Sequence, residues 1–576
     1  MAITNRLNKI TQSNWVPQKK QLMVYILLLL GSCKMKNREV SAEEIADINL
    51  KKGDIVLCGP ADKRFGSVTF DVSCSGKVTG DFNQAVALLH SFEYDEAEKV
   101  FAKIIDKEPD CAMAYWGVAM CNFHPIWAPA TQAELIKGTK AIKVARSLSQ
   151  VSQRESDYIE AIAQYYAHWD KVGHYNRCIN FRNAMERMYK KYPQDKEAAI
   201  FYALALDAAS DASDKTFADQ RKAGAILNSI YPDEPSHPGI VHYIIHTYDY
   251  PGLAEMALPA ARQYASIAPA SAHAQHMPSH IFTRLGLWDE SIRSNLISTS
   301  SAKCYAENSA MKGHWDEELH GMDYLVYAYL QKGEDNLARE QYNYLQTIEA
   351  VYPVNFKDAY AFAAIPARYL LETKNWKEAA RLEIHPVRFP WNKFPWQEAI
   401  IHFARALGAV HSGDNLSAGT EIKKLGVIYD ALLQAGDSSK ANLVAIQVKT
   451  SEAWIFLNEG KNREALKLMD SAADMEDATR ISAVSPGDVL PARELLGDML
   501  IQMGYFAKAL TAYEEDLRIH PNRFNGVYGA ALAAEKTGDT DKAAFYFQKL
   551  VDQSAAESTR PELIAARLYL KKVKIS

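Results

Sequence analysis

Four histidines stand out in the sequence as possible metal ligands or proton-transfer groups. His242 and His246 lie in the run HPGIVHYIIHTYDY, and His276 and His280 lie in AHAQHMPSHIFTRLG, so each member of the second pair follows its counterpart by 34 residues. Two histidines at i and i+4 project from one face of a helix and can share an ion. If two such helices are neighbours, four imidazoles could converge, with Asp249, His320 or Asp323 as a further ligand or as a group that orients a ring. Nitrogen and carboxylate donors without thiolates suit zinc, copper, nickel or iron better than calcium. An open coordination position on such an ion would permit hydrolytic or oxidative chemistry. The chain has no HExxH, so the general base of a common metalloprotease is missing.

The elements that must position these side chains repeat along the chain. From about residue 80 apolar residues recur at three- and four-residue spacing, broken by short turns. After each turn comes a small residue that lets two helices approach: Ala97, Ser291, Ala338, Ala379, Ala418, Ala465, Ala509 and Ala543. The last two units match in strict register, Gly504 with Gly538 and Tyr513 with Phe547. A period near 34 residues built from paired antiparallel helices is the pattern of a tetratricopeptide repeat, so the expected fold is all-α, a right-handed superhelical solenoid over residues 81–570.

In that frame the first helix of each unit faces a concave groove through positions 2, 5, 9, 12 and 13. A unit starting at Pro238 puts His242, His246 and Asp249 at positions 5, 9 and 12. The unit starting at Ala272 puts His273, His276, His280 and Arg284 at positions 2, 5, 9 and 13. A unit starting at Leu319 adds His320, Asp323 and Tyr327. An earlier unit offers an apolar stripe with Trp116, Phe123 and His124, which reads either as core or as an apolar pocket beside the polar one. Arg368 is placed to bind a carboxylate in the groove or to form an ordinary surface pair.

The segments FDVSCSG, LLHSFEYDEAEKVFAKIIDKEPDCAMAYWGVAM, HAQHMPSHIFTRLGLWDESI, AIPARYLLE, FARALG and PARELLGDML carry a more specific likeness. Through them residues 60–560 resemble a family of large exported bacterial tetratricopeptide proteins. The resemblance implies an architecture and no particular activity.

The N-terminus fits export. Arg6, Lys9, Lys19 and Lys20 precede an apolar run from Leu22 to Leu30, too short to span a bilayer but suited to a signal peptide. Leu30-Gly31-Ser32-Cys33 resembles a lipobox with Cys33 as the lipidated residue, so residues 1–33 read as a lipoprotein signal and the chain as tethered by lipid to the bacterial cell envelope. Residues 34–60 read as a polar tether and 61–80 as an extended lead-in, with a disulfide expected between Cys58 and Cys74. A net charge of −5 over 576 residues gives no basic footprint for nucleic acid.

Two functions are compatible with these residues. The first is a lipid-anchored protein whose groove takes a peptide, a protein or a small ligand. The second is a metalloprotein, or a metalloenzyme, with His242, His246, His276 and His280 around an ion.

Overall fold

In the computed structural model the described residues are 39–59, 64–126, 128–211, 213–309, 311–479 and 485–573. The leader, Cys33 and residues 34–38 lie outside them.

The chain is all-α, an array of antiparallel helix pairs. A short helix, α1 (Ala42–Ile48), precedes the array. The first pairs are α2 (Thr79–His90) with α3 (Tyr94–Lys107), α4 (Ala112–Cys121) with α5 (Gln132–Ser147), and α6 (Gln153–Tyr166) with α7 (His174–Lys191). Then come α8 (Lys196–Ala208) with α9 (Ala218–Ile230), and α10 (Pro238–Thr247) with α11 (Leu258–Ile267). The next first helix is broken into α12 (Ala272–His276) and α13 (Pro278–Leu285), where Pro278 has no N–H to continue the ladder; it pairs with α14 (Trp288–Asn308). The second half runs α15 (Asp316–Gln331), α16 (Asp335–Leu345), α17 (Phe356–Glu372), α18 (Trp376–Ala379), α19 (Pro395–His411), α20 (Asn415–Gln434), α21 (Ser438–Asn458) and α22 (Asn462–Ala478). It ends with α23 (Ala492–Gln502), α24 (Phe506–Ile519), α25 (Phe524–Thr537), α26 (Thr540–Gln553) and α27 (Pro561–Val573). Two short strands, β1 (His314–Trp315) and β2 (Val351–Tyr352), pair in parallel beside α15.

The small residues after the turns explain the stacking. Ala97, Ser291, Ala338, Ala379, Ala418, Ala465, Ala509 and Ala543 are all fully buried. A larger side chain at any of them would hold the paired helices apart and strip apolar area from the core, at roughly 25 cal/mol per Å². Gly408 of α19 is a closer case still, because a Cβ there would meet the backbone nitrogen of Ala380 at 2.3 Å.

First helices also stack on first helices, and the array curls until distant ones meet. The inner face of α10 reaches α2, and α15 reaches α25. The apolar interior divides into two large clusters, one from Ile48 to Phe282 and one from Leu319 to Ala566. The histidines of interest lie where they adjoin.

Two expectations about the N-terminal region need correcting. Residues 42–59 do not form a loose tether. Ser41 and Glu44 cap α1 reciprocally, Ile48 is buried, Lys140 pairs with Asp47 at 2.7 Å, and the Val56 amide donates to Glu96 at 2.8 Å. The disulfides also differ from the expected Cys58–Cys74 bridge. Cys58 is joined to Cys304 on α14, and Cys74 to Cys111 at the N-cap of α4. Proximity in sequence favoured the local pair, but curling brings α14 to the docked N-terminal segment. Cys121 and Cys178 are buried free thiols.

The Cys58–Cys304 bridge spans 246 residues and should stabilise the chain by about 2–5 kcal/mol through its unfolded state. Mass spectrometry of the non-reduced digest should recover peptides linking Cys58 to Cys304 and Cys74 to Cys111; a Cys58–Cys74 peptide would contradict the structure.

Candidate metal centre

The four histidines do not surround one point. They split into two trios, each completed by a histidine from the next first helix. His242 and His246 of α10 meet His273 of α12, and His276 and His280 meet His320 of α15, with the donor atoms of each trio within 4.8 Å of one another. In the first trio His242 Nε2 lies 3.0 Å from His246 Nε2 and 3.1 Å from His273 Nε2. In the second, His276 Nε2 and His280 Nε2 are 3.0 Å apart, and the His320 ring lies 4.3 Å from that of His276. All six side chains are buried. The trios are repeat-equivalent, since each takes positions 5 and 9 of one unit and position 2 of the next.

The far nitrogens decide what faces the centre. His242 Nδ1 lies 2.6 Å from the backbone carbonyl of His90, which can only accept, so Nδ1 carries the proton and Nε2 a lone pair. His276 Nδ1 lies 2.6 Å from Asn295 Oδ1. The Asn295 amide is fixed by donation of Nδ2 to the Ser291 carbonyl at 2.8 Å, so its oxygen faces the ring and accepts. His280 Nδ1 donates to Asp249 at 2.8 Å, and His273 Nδ1 lies 3.4 Å from Glu317. His242, His276 and His280 therefore turn unprotonated Nε2 atoms inward.

Their protonation state is set by burial. Desolvation, reinforced by the neighbouring rings, pushes His242, His246, His276 and His320 well below the usual imidazole range. His280 is also lowered, because burial outweighs the attraction of Asp249. Neutral rings with lone pairs about 3 Å apart repel unless a positive centre sits between them. Metal–nitrogen bonds near 2.0–2.1 Å at trigonal or tetrahedral angles place donor atoms about 3.3–3.6 Å apart, so each trio needs only a small opening to hold an ion.

An aromatic ring covers each trio. Phe92, in the turn after α2, lies 4.4 Å from the His242 ring, 5.5 Å from His246 and 5.7 Å from His273. Its φ of 59° is unfavourable for a bulky residue, a local strain at the site. Tyr324 stands 4.8, 4.9 and 5.4 Å from His276, His280 and His320. Behind the first trio, His90 and His237 hold the two oxygens of Glu197 at 2.9 and 2.8 Å. Burial opposes ionisation of Glu197, but the two imidazoles win and keep its carboxyl far below the ordinary range. Gly239 makes room for His90, since a Cβ there would lie 2.5 Å from His90 Nδ1.

The other candidates do other work. Asp249 orients His280 and accepts from Arg284 Nε at 2.9 Å. Asp323 is not among the histidines; it pairs with Arg368 at 3.2 Å. Tyr327 packs its ring on Trp288 and accepts from Arg523 at 3.3 Å. Trp116 is core, against Phe70, Phe82, Tyr158 and Phe201, and Phe123 is core against Tyr165 and Phe181. His124 is half-buried at 3.0 Å from Glu134. Arg368 is neither a groove ligand nor a surface residue: fully buried, it donates to the carbonyls of Gly487 and Asp488 at 2.5 and 2.8 Å. Arg284 reaches the carbonyls of Ser485 and Pro486 at 3.4 and 3.3 Å. Residues 485–488 thus fill the inner wall next to the second trio, where an open groove was expected. His273, expected on the groove wall, is a donor of the first trio. The signal for it was its position 2, the place that His320 holds one unit later.

No family model matches the chain, and no curated protein does. Among solved structures the chain is similar to yeast Tom70, at 10% identity over 87% of this chain and 96% of that one, with a TM-score of 0.33. It is similar to the human IFIT1 dimer with m7Gppp-AAAA, at 12% identity, 81% and 94% coverage and a TM-score of 0.35. The P58(IPK) TPR domain is similar at 13% identity, 66% and 100% coverage and a TM-score of 0.20.

Arg368→Met should leave Asp323 buried without its cation and free the 485–488 carbonyls, destabilising the chain by roughly 3–5 kcal/mol. Thermal denaturation should register that loss, and hydrogen exchange should quicken at residues 485–490. Unchanged exchange there would remove the role given to Arg368.

Proposed function

We propose that the chain is a metal-binding protein that holds one transition-metal ion in each histidine trio. The observation that carries this reading is the meeting of His276 and His280 through Nε2 atoms 3.0 Å apart in a buried site, with Nδ1 of each ring already committed to an acceptor. A hydrogen-bonded network would not need two lone pairs aimed at one another, whereas an ion does. Backbone carbonyl, amide and carboxylate groups behind the rings are the partners that metal-bound histidines ordinarily use. Three ligands leave a coordination position for water or substrate.

Elemental analysis of the purified full-length chain should find close to two equivalents of zinc, copper, nickel or iron. His242→Ala and His280→Ala should each remove about one. Bound metal should also stabilise the fold, by about 2.7 kcal/mol per site at a free concentration a hundred times Kd, so chelation should lower Tm. Sub-stoichiometric metal in the parent, with no effect of the substitutions, would sink the reading.

Export and a lipid anchor at Cys33 complete the proposal. Two disulfides support an oxidising compartment. Cys33→Ser should move the protein from the membrane fraction to the soluble one, and an unchanged distribution would dismiss the anchor. Binding of a protein partner is the second reading, favoured by Leu416 and Val427, which are 87% and 69% exposed on α20. They lie eleven residues, about three turns, apart and so share one face. Charged substitutions at both should abolish in-cell crosslinks of this helix to another protein; crosslinks that persist would argue against the surface.

A further inference from the structure

We infer that the two trios form one dinuclear centre whose resident ions are monovalent copper, one Cu(I) in each set of three imidazoles. The inference rests on the metal reading above and goes further in two ways: the ions belong to one centre, and their element is chosen by charge.

The first part follows from the helix that the trios share. His273 and His276 are three residues apart on α12, yet His273 serves the first trio and His276 the second. Side chains at that spacing stand about 5–6 Å apart at Cβ, and packed neighbouring helices about 8–10 Å apart. Two ions bound through these rings are therefore neighbours, with one short helical turn between them.

The second part follows from the charges around the centre. Each trio is histidine only, so no carboxylate or thiolate donor meets the ions. The carboxylates nearby stand behind the rings on Nδ1, where they orient and do not ligate. Asp249 is already paired with Arg284, and Glu317 shares Lys357 with Asp316, at 2.5 and 2.6 Å. Burial raises the Glu93 carboxyl to about 8, so it is neutral near pH 7. No carboxylate is left to ligate either ion, and Glu197 stands one ring further back, on His90 and His237. The desolvation cost of an ion rises with the square of its charge, so a divalent ion in a buried site costs about four times as much as a monovalent one. Centres of paired divalent ions offset this with bridging carboxylates, and these two trios contain none. Imidazole suits zinc, copper, nickel and iron alike, but of these copper alone is stable in proteins as a +1 ion. With a filled d shell, Cu(I) accepts three nitrogens without a further ligand.

The covering rings make the two positions unequal. Phe92 offers the first trio an apolar face, while the Tyr324 hydroxyl reaches within 3.3 Å of His280 Nδ1 in the second. The two ions are therefore held in unlike surroundings.

The test is an anaerobic titration of the metal-free full-length chain with Cu(I) against a chromophoric Cu(I) chelator, repeated in excess Zn(II). Two Cu(I) per chain, retained in the presence of zinc, are expected. Oxidation with ferricyanide should then give an electron paramagnetic resonance spectrum broadened by coupling between the two Cu(II) ions. His280→Ala, and separately His320→Asn in case the first fails to fold, should bind a single copper and give a sharp mononuclear spectrum. Displacement of copper by zinc, or a two-copper spectrum that is the plain sum of two uncoupled ones, would overturn the inference and leave the metal reading standing. If neither ion binds, both fall together.

Discussion

The direction of four imidazole protons governs the centre, and the rest of the structure can be understood as arranging it. A buried histidine must send each ring nitrogen somewhere, and here the Nδ1–H groups are drawn outward to the His90 carbonyl, Asn295, Asp249 and Glu317. For His242, His276 and His280 the inward nitrogens are then lone pairs. Each acceptor is itself fixed: His90 by Glu197 and Tyr243, Asn295 by the Ser291 carbonyl, Asp249 by Arg284, and Glu317 by Lys357. Outer partners of this kind set ring orientation and donor strength in metal sites. The strain at Phe92 and the close approach at Gly239 belong to the same arrangement.

The superhelix makes such an arrangement possible by closing on itself. An open solenoid would leave its inner wall in water, where a histidine pair is only a polar patch. Here α2 meets α10 and α15 meets α25, so the wall is buried and its polar groups must find partners within the protein. They do so through charges shared across long stretches of chain. Arg523 is held by Glu372 and Glu494 at 2.7 and 2.8 Å, and Arg368 and Arg284 bind the carbonyls of residues 485–488. Such groups contribute little net stability over apolar packing, but they fix which surfaces can meet.

Much of the architecture was legible in the sequence because it is local. The helix-pair period and the eight small residues after the turns follow from side-chain size at fixed spacing, and burial of all eight bears that reading out. The position of each histidine within its unit was legible for the same reason. What was not legible depends on how units meet. His273 and His320 complete trios only because position 2 of one unit lies against positions 5 and 9 of the unit before. Cys304 reaches Cys58, and Arg368 reaches residue 487, only after the array has curled. Trp116 and Phe123 were ambiguous between core and groove because only the packing of neighbouring units, and of Phe70 from the lead-in, decides which they are. The segment before the array looked polar enough to be a tether, yet Ile48, the Lys140–Asp47 pair, the Val56 amide on Glu96 and the Cys58–Cys304 bridge dock it.

Two ion sites, and not one, are expected among the histidines, and crystallography at a metal absorption edge distinguishes the two arrangements. Anomalous difference maps from crystals of the metal-loaded chain should hold two peaks, one about 2.1 Å from the Nε2 atoms of His242, His246 and His273 and the other among His276, His280 and His320. No peak at either trio, or a single peak shared by His242, His246, His276 and His280, would contradict the account.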